Sequence, residues 1–593
     1  MKQFNLIYST EESFHKKLGE IRQWCNKNTS GVVVFRIYSQ DMNQEHIARI
    51  CRMLDDEMPK ALYFGCSSNA NILDGVLTDA KIIVTCTIFE YETTQAILLQ
   101  HPFSEDNYQA AVSDLMQYCE RNPWVKSVEM LATIMDMSMK GFCDEMTKLP
   151  EHIQVFGGGA FNPNMDDETA YVFSKDNGFL PHGIVFLLLG GEDLHMYSTF
   201  ISGWKPLKRR FTVTKADKEV LYELDGMPAF SVYHRFLKIK KNDKFFSNTL
   251  EFPLFMEHDG IDILRCPLAV NEDDSLVMSS DMEENATVRL AYGDPETILR
   301  SIRKDGQKIA NFHPEVIQTF SCAARRAFWG DENISKETEL FKEVAPTAGF
   351  YTHGEFIRIG TNMLNFNVTL VIAAMREGTP VTQKNINFYD VTRDNLDKIP
   401  MIMRFVSFIE ASTTDLEEMN MRLALSAITD GLTQLYNRAE TERRIKVMLD
   451  DIAAGEGNGN ASVIMLDIDN FKKVNDRYGH KEGDRVIIGL ADVLREVTVD
   501  NSDFYTGRWG GEEFMVLLEG CNLSQAIEIA EKIRADFHKI KFSIAGHQTV
   551  SVGVAQVRKG ESVDALYNRV DKALYTAKAQ GKNQVISEND LEE

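Results

Sequence analysis

Short apolar runs recur along the first 388 residues, among them GVVVFRIY (31–38), KIIVTCTIFE (81–90), GIVFLLLGG (183–191) and TLVIAAM (369–375). Runs of this length, bounded by glycine-containing turns and mixed with a few helical stretches, predict buried strands within a mixed α/β region. No periodic repeat or low-complexity tract is present. From Pro400 the pattern changes: Ile402, Ile409, Leu416 and Leu423 are spaced by sevens, with Phe405 and Met419 at intervening positions. This predicts one long helix over residues 400–429. Ser412 and Ser426 hold the other intervening positions, so the seam is marginal. It fits a two-stranded, switchable coiled coil, and it also fits a plain helix packed on one domain.

Beyond the helix, DGLTQLYNRAETERR (430–444) predicts a turn into a second amphipathic helix, and the apolar residues 462–466 predict a strand delivering Asp467 at its end. The aromatic pair Phe504 and Tyr505 and the apolar run 514–518 flank GRWGGEEF (507–514). Gly-Gly between two strand-like runs predicts a hairpin, because both residues accept positive φ, and its glutamates could be solvated turn residues. A second reading gives the pattern chemistry. If the two strands pair, Asp467 and Glu512 become neighbouring hard oxygen ligands, which suit Mg2+ completed by substrate phosphates. Gly510 and Gly511 then leave room for that substrate.

Composition narrows the choice. A chain of 593 residues implies about four domains of ordinary size. A net charge of -24 argues against a general binder of polyphosphate backbones, so no DNA partner is expected. No apolar stretch approaches the roughly 20 residues of a membrane span, and MKQFNLIYST lacks the basic-then-apolar order of a signal peptide, so the expected location is cytoplasmic. The nine cysteines form no C-x-x-C pair and suggest neither zinc nor a disulfide framework.

Together, RWGGEEF, DIDNFKKVND, GHKEGD, DGLTQLYNR and AKAQGKN resemble, in order, the motifs of the GGDEF family of diguanylate cyclases, over about residues 430–586. The resemblance implies a ferredoxin-like α+β domain of the nucleotidyl cyclase and polymerase palm type. It implies joining of two GTP molecules into cyclic di-GMP, with release of two pyrophosphates, using two Mg2+ per site, with Mn2+ as an alternative. Carried over by position, Asp467, the carbonyl of Ile468 and Glu512 match metal ligands. Glu513 matches the second acidic position, where metal support and removal of the ribose 3′-hydroxyl proton both remain open. Asn475 and Asp484 match guanine readers, and Lys472, Lys578 and Lys582 match triphosphate contacts. Lys582 stands where many relatives carry arginine, which replaces a forked contact by a point charge. His480 is read as structural, since Mg2+ prefers oxygen. The family's R-x-x-D inhibitory site would fall on Asn501 and Phe504, or with one inserted residue on Asp500 and Asp503, and neither register supplies an arginine.

The segments YFGCSSNANILDG, VFGGGAFN, ISGWKPLKRRFTVT, YELDGMPAF, FSCAARRAFWG and PTAGFYTHGEF resemble the two halves of the FIST sensory domain. The implied role is a small-molecule sensor, with an amino acid as one class of ligand. Cys66, Ser67, Gly158, Arg325 and Glu355 mark the expected ligand region; the backbone donors of GGGA with Arg325 and Glu355 could hold a zwitterion, while Gly157–Gly159 and Cys66 could equally be turn and core residues. The expected organisation is multidomain α/β: FIST halves at 1–222 and 223–388, a coiled-coil-like signalling helix and linker at 389–429, and the cyclase at 430–593. The expected function is a ligand-regulated homodimeric diguanylate cyclase; the alternative is a catalytically inactive GGDEF domain that signals by binding nucleotide.

Overall fold

The computed structural model describes all residues except 29–30, 135–136, 164–168, 259, 381–387, 389–400, 456–459, 500, 502 and 592–593. Its contacts divide into two compact units, Met1–Phe405 and Val406–Glu593.

The apolar runs of the first unit are strands. Ile82–Ile88 and Gly183–Gly190 are buried at every position, which is why they read as continuous apolar stretches without alternation. Three of its sheets draw strands from both segments expected as sensory halves, the largest through Trp204–Asp217 paired with Thr287–Gly293. Ala70–Leu73 pairs with Thr347–Thr352, Leu194–Ile201 with Leu370–Glu377, and Gln154–Gly159 with Glu355–Ile359. A buried ion pair ties the last of these sheets to a further one: Arg36 on Val33–Ser39 donates from Nε at 2.9 and 3.0 Å and from Nη2 at 2.7 Å to the Glu129 carboxylate on Val125–Ala132. Removing either partner would strand a buried charge.

In the second unit, Ala461–Ile468 is the central strand and all eight of its residues are buried. It runs antiparallel to Glu513–Glu519 on one side and Val550–Gln556 on the other, with Phe504–Arg508 and Val585–Ser587 at the edges. Strand geometry sends alternate side chains to opposite faces. Ile464 and Leu466 pack with Val486, Leu490, Ala530 and Ile533 from the helices His480–Val499 and Leu523–Lys539. Val463 and Met465 pack with Ile445, Met448, Val570 and Leu574 from Arg438–Ala454 and Val563–Ala579. Among the four longest strands in chain order, the first lies between the third and fourth with the second outside the third, the ferredoxin-like arrangement. The carboxyl end of the central strand is thereby fixed from both sides, and Asp467 stands there.

The expected long helix spans Met401–Ile428. Pro400 and the side chain of Ile402 lie outside the described residues. Phe405, Ile409, Leu416, Met419 and Leu423 of the seam are 55 to 61% exposed, and Phe408, Met421 and Leu425 off the seam are exposed too. The packed-helix alternative is therefore not met by these side chains.

Candidate active site

The hairpin joins Phe504–Arg508 to Glu513–Glu519. Its register sets Asp467 opposite Glu513, where the sequence pattern suggested Glu512; Glu512 lies one residue before the strand and its carbonyl accepts the Ile468 N–H at 3.3 Å. Three carboxylates and the end of the central strand thus converge on one turn.

Neither glycine takes a positive φ, so the conformational reason expected for them in the turn is not met. A Cβ on Gly510 would lie 2.6 Å from Glu513 Oε2, so this glycine lets the carboxylate fold back over the turn. A Cβ on Gly511 would meet nothing within 4 Å. Neither backbone conformation nor packing within the chain requires glycine at 511, and the space in front of it is open. Arg508 fixes this turn. Its Nε and Nη2 donate to the carbonyls of Gly510 and Gly511 at 3.1 and 2.7 Å, and its Nη1 reaches Asp430 at 3.1 Å.

Burial raises the proton affinity of Asp467, which is only 6% exposed, and Lys578 offsets part of that effect through an ion pair from Nζ to Oδ2 at 2.7 Å. Glu512 and Glu513 are likewise held above the usual carboxylate range, first by burial and then by the negative charge of Asp467. The cluster carries more negative charge than its one ion-paired lysine balances, and carboxylate oxygens are the donors a hard cation takes. Among the described residues no three His, Cys, Asp or Glu side chains stand in metal-holding positions. The donor chemistry fits Mg2+, with Lys578 yielding its place on Asp467.

Asp469, two residues on, has a different fate: its carboxylate accepts from Thr549 and Ser551 hydroxyls at 2.7 and 2.6 Å and from the Asn583 N–H at 3.0 Å. It ties the central strand to the AKAQGKN loop and has a structural role that sequence reasoning did not distinguish. In that loop Lys582 and Asn583 take positive φ, and Lys582 Nζ donates to Asn470 Oδ1 at 2.9 Å. Lys472 is exposed on the helix Phe471–Tyr478, one turn before Asn475.

Asn475 Oδ1 is buried without a hydrogen-bond partner and lies against Gly483, where a Cβ would come within 2.0 Å of it. Asp484, the next residue, is exposed at the start of His480–Val499. An orphaned acceptor beside an exposed carboxylate is suited to donors brought by a ligand. His480 is exposed at the start of the same helix and joins no group of possible metal ligands among the described residues.

In the first unit the expected sensory residues separate. Arg325 is fully buried, paired with Glu337 at 2.6 and 2.8 Å, and donates to the carbonyls of Ser202 and Val368. That guanidinium holds the fold together and is occupied. Gly158 and the glycines beside it form a strand paired on both sides, and the N–H groups of Gly159 and Ala160 are bonded to Gly354 and Ala132 carbonyls. Glu355, opposite Gly158, accepts from the Thr352 and Thr369 hydroxyls at 2.7 and 2.8 Å, and burial pushes its carboxyl up to about 7. Cys66 is buried with its thiol well above the usual range, and Ser67 is bonded to Tyr171. The arrangement expected for a zwitterion is therefore not assembled by these five residues.

Three family models match the chain in order: FIST N domain over residues 32–227, FIST C domain over 229–358, and Diguanylate cyclase, GGDEF domain over 427–584. Over 175 residues the chain is 36% identical to "Diguanylate cyclase DgcM" of Escherichia coli (strain K12), covering 29% of this chain and 42% of that protein. Over 223 residues it is 34% identical to "Response regulator PleD" of Caulobacter vibrioides (strain NA1000 / CB15N), covering 35% and 47%. The chain thus spans less than half the length of either relative. The solved GGDEF domain of DgcB from Caulobacter crescentus, in complex with c-di-GMP, is 33% identical over 27% of this chain and 93% of its own, with a TM-score of 0.26.

Proposed function

We propose that this chain is a diguanylate cyclase whose N-terminal region regulates it. The observation that carries the proposal is the register of Asp467 against Glu513, beside a turn opened by a glycine that nothing within the chain requires. Asp467, the Ile468 carbonyl and Glu512 would hold Mg2+, which when bound polarises the α-phosphate and stabilises the attacking and departing oxygens. Asn475 and Asp484 accept from the Watson–Crick edge of guanine, which offers two adjacent donors where adenine does not. Lys472, Lys578 and Lys582 neutralise the triphosphate, and Gly511 admits it. Glu513 either supports the ion or takes the 3′-hydroxyl proton.

One such site holds one GTP, so joining two requires two chains to face each other. The exposed seam of Met401–Ile428 is a surface for that pairing as a coiled coil. On this reading residues 1–388 form the two FIST halves, 389–429 the linker and 430–593 the cyclase, and a bound small molecule acts by favouring one helix arrangement. The proposal is tested with Asp467→Asn and Asp484→Ala. The first should abolish synthesis of cyclic di-GMP with the circular dichroism spectrum unchanged. The second should raise the GTP requirement and relax base choice. Activity surviving Asp467→Asn at more than a few per cent would refute the assignment.

A further inference from the structure

A cavity of about 220 Å³ lies within the first unit, where the strand Val316–Cys322 ends and Thr352 and His353 leave the neighbouring strand. Phe161, Phe246, Leu250, Leu268, Ala324 and Val368 give it apolar walls. A second chamber of about 320 Å³ shares Leu268, Ser279 and His353 with it. None of Cys66, Ser67, Gly158, Arg325 or Glu355 lines either chamber.

Asn367 lines the first chamber and Asn365 the second. They are 3% and 8% exposed, yet Asn367 Nδ2 and Asn365 Oδ1 have no hydrogen-bond partner. Buried amides in folded proteins are almost always bonded, and leaving two unmet beside one another destabilises the chain. A side-chain amide can turn over to present a donor or an acceptor. With Ser279, Ser280, Thr352, His353 and Glu219 the two amides supply the polar part of a lining whose other walls are apolar, the usual composition of a small-molecule site.

Charge fixes the class of occupant. Among the described residues no Lys, Arg, Asp or Glu lines the first chamber, Glu219 is the one such residue in the second, and His353, which lines both, is the one basic side chain. Of the nearby buried charges, Arg325 is paired with Glu337 and Glu355 accepts from threonine hydroxyls, while Arg265 donates to the carbonyls of Leu264, Asn365 and Asp281. A zwitterion or carboxylate entering here would lose its hydration with no Lys or Arg in the lining and only His353 as a basic side chain to meet it. We infer that this cavity binds a small uncharged molecule with an apolar body and an amide-like group that meets Asn367 and Asn365. An engineered cavity of roughly 150 Å³ accommodates benzene, so an aromatic ring with one polar substituent is the scale of ligand that fits the first chamber.

The test uses the full chain without nucleotide, so its outcome does not depend on the cyclase reading. Benzamide, benzoate and toluene are titrated by calorimetry up to their solubility limits. Benzamide should bind at least tenfold more tightly than benzoate. Asn367→Leu should weaken benzamide at least tenfold while leaving toluene within threefold. Because the amide has no partner in the protein, Asn367→Leu should also melt no lower than the unmodified chain. Equal binding of benzoate, no binding of any of the three, or an unfolded or less stable Asn367→Leu would overturn the inference. The last result would show that the amide is already satisfied, by water or protein, when no ligand is bound.

Discussion

Gly511→Ala separates a glycine kept for folding from one kept for substrate. The substitution adds one methyl group at a residue whose φ is not positive and whose built Cβ meets nothing within 4 Å. Folding should tolerate it, and reduced freedom of the unfolded chain should stabilise the protein by about 0.4–1 kcal/mol. If the space in front of Gly511 receives the phosphoribose of GTP, the methyl displaces the substrate by about an ångström, and misplacement of that size costs about 100-fold in rate. That loss corresponds to about 3 kcal/mol of transition-state stabilisation. Gly510→Ala makes the contrast, since its Cβ would lie 2.6 Å from Glu513 Oε2 and must move that carboxylate. It should raise the Mg2+ concentration needed for turnover. The assays are thermal unfolding and initial rates of pyrophosphate release over a grid of GTP and Mg2+. A Gly511→Ala enzyme within threefold of normal kcat/KM, or one that melts well below the unmodified chain, would refute the reasoning.

Glu355 should make the first unit less stable as pH rises. Its carboxyl is raised by burial from 4.5 to about 7, so the folded form holds a proton that the unfolded form releases, and stability present at low pH is lost as pH rises through about 7. The displacement is worth about 3 kcal/mol, and denaturant unfolding at acid and neutral pH should show that loss in the unmodified chain and its absence in Glu355→Gln. Leu416→Lys, which places a charge in a seam residue that is 61% exposed, should lower the dimer fraction by light scattering and the turnover per chain in parallel, and unchanged turnover in a monomeric variant would exclude pairing through this helix. Cyclic di-GMP should not inhibit through the hairpin-proximal site, because Asn501 and Phe504 provide no guanidinium fork for a phosphate. Strong inhibition at low micromolar product, non-competitive with GTP, would contradict that.

Local pattern made much of the second unit legible. The strand carrying Asp467, the pair of strands around Gly510–Gly511 and the helix through Leu416 follow from the periodicity of nearby residues, although the positive φ expected of the two glycines is not adopted. The partner of Asp467 does not follow from it, since register is set by pairing across the sheet and a shift of one residue exchanges Glu512 for Glu513. Arg508 was likewise hidden: it secures the glycine turn through Asp430, far back in the chain, and nothing in GRWGG signals that anchor. The first unit was less legible because its sheets combine distant strands, as Ala70–Leu73 does with Thr347–Thr352. Arg325 is a candidate for holding a zwitterion by its charge alone, and its burial against Glu337 depends on the fold; Asn367 carries no signal in the sequence, because only the folded chain leaves its amide unmet.

The central claim is that the carboxylate cluster at the glycine turn joins two GTP molecules. Purified full-length chain should be incubated with GTP and Mg2+, alongside Asp467→Asn, and the nucleotides identified by mass spectrometry. The account predicts cyclic di-GMP with two pyrophosphates per product from the unmodified chain, and none from Asp467→Asn or when Mg2+ is chelated. GTP bound but unconverted across a range of protein concentrations, or the same product from both chains, would contradict it.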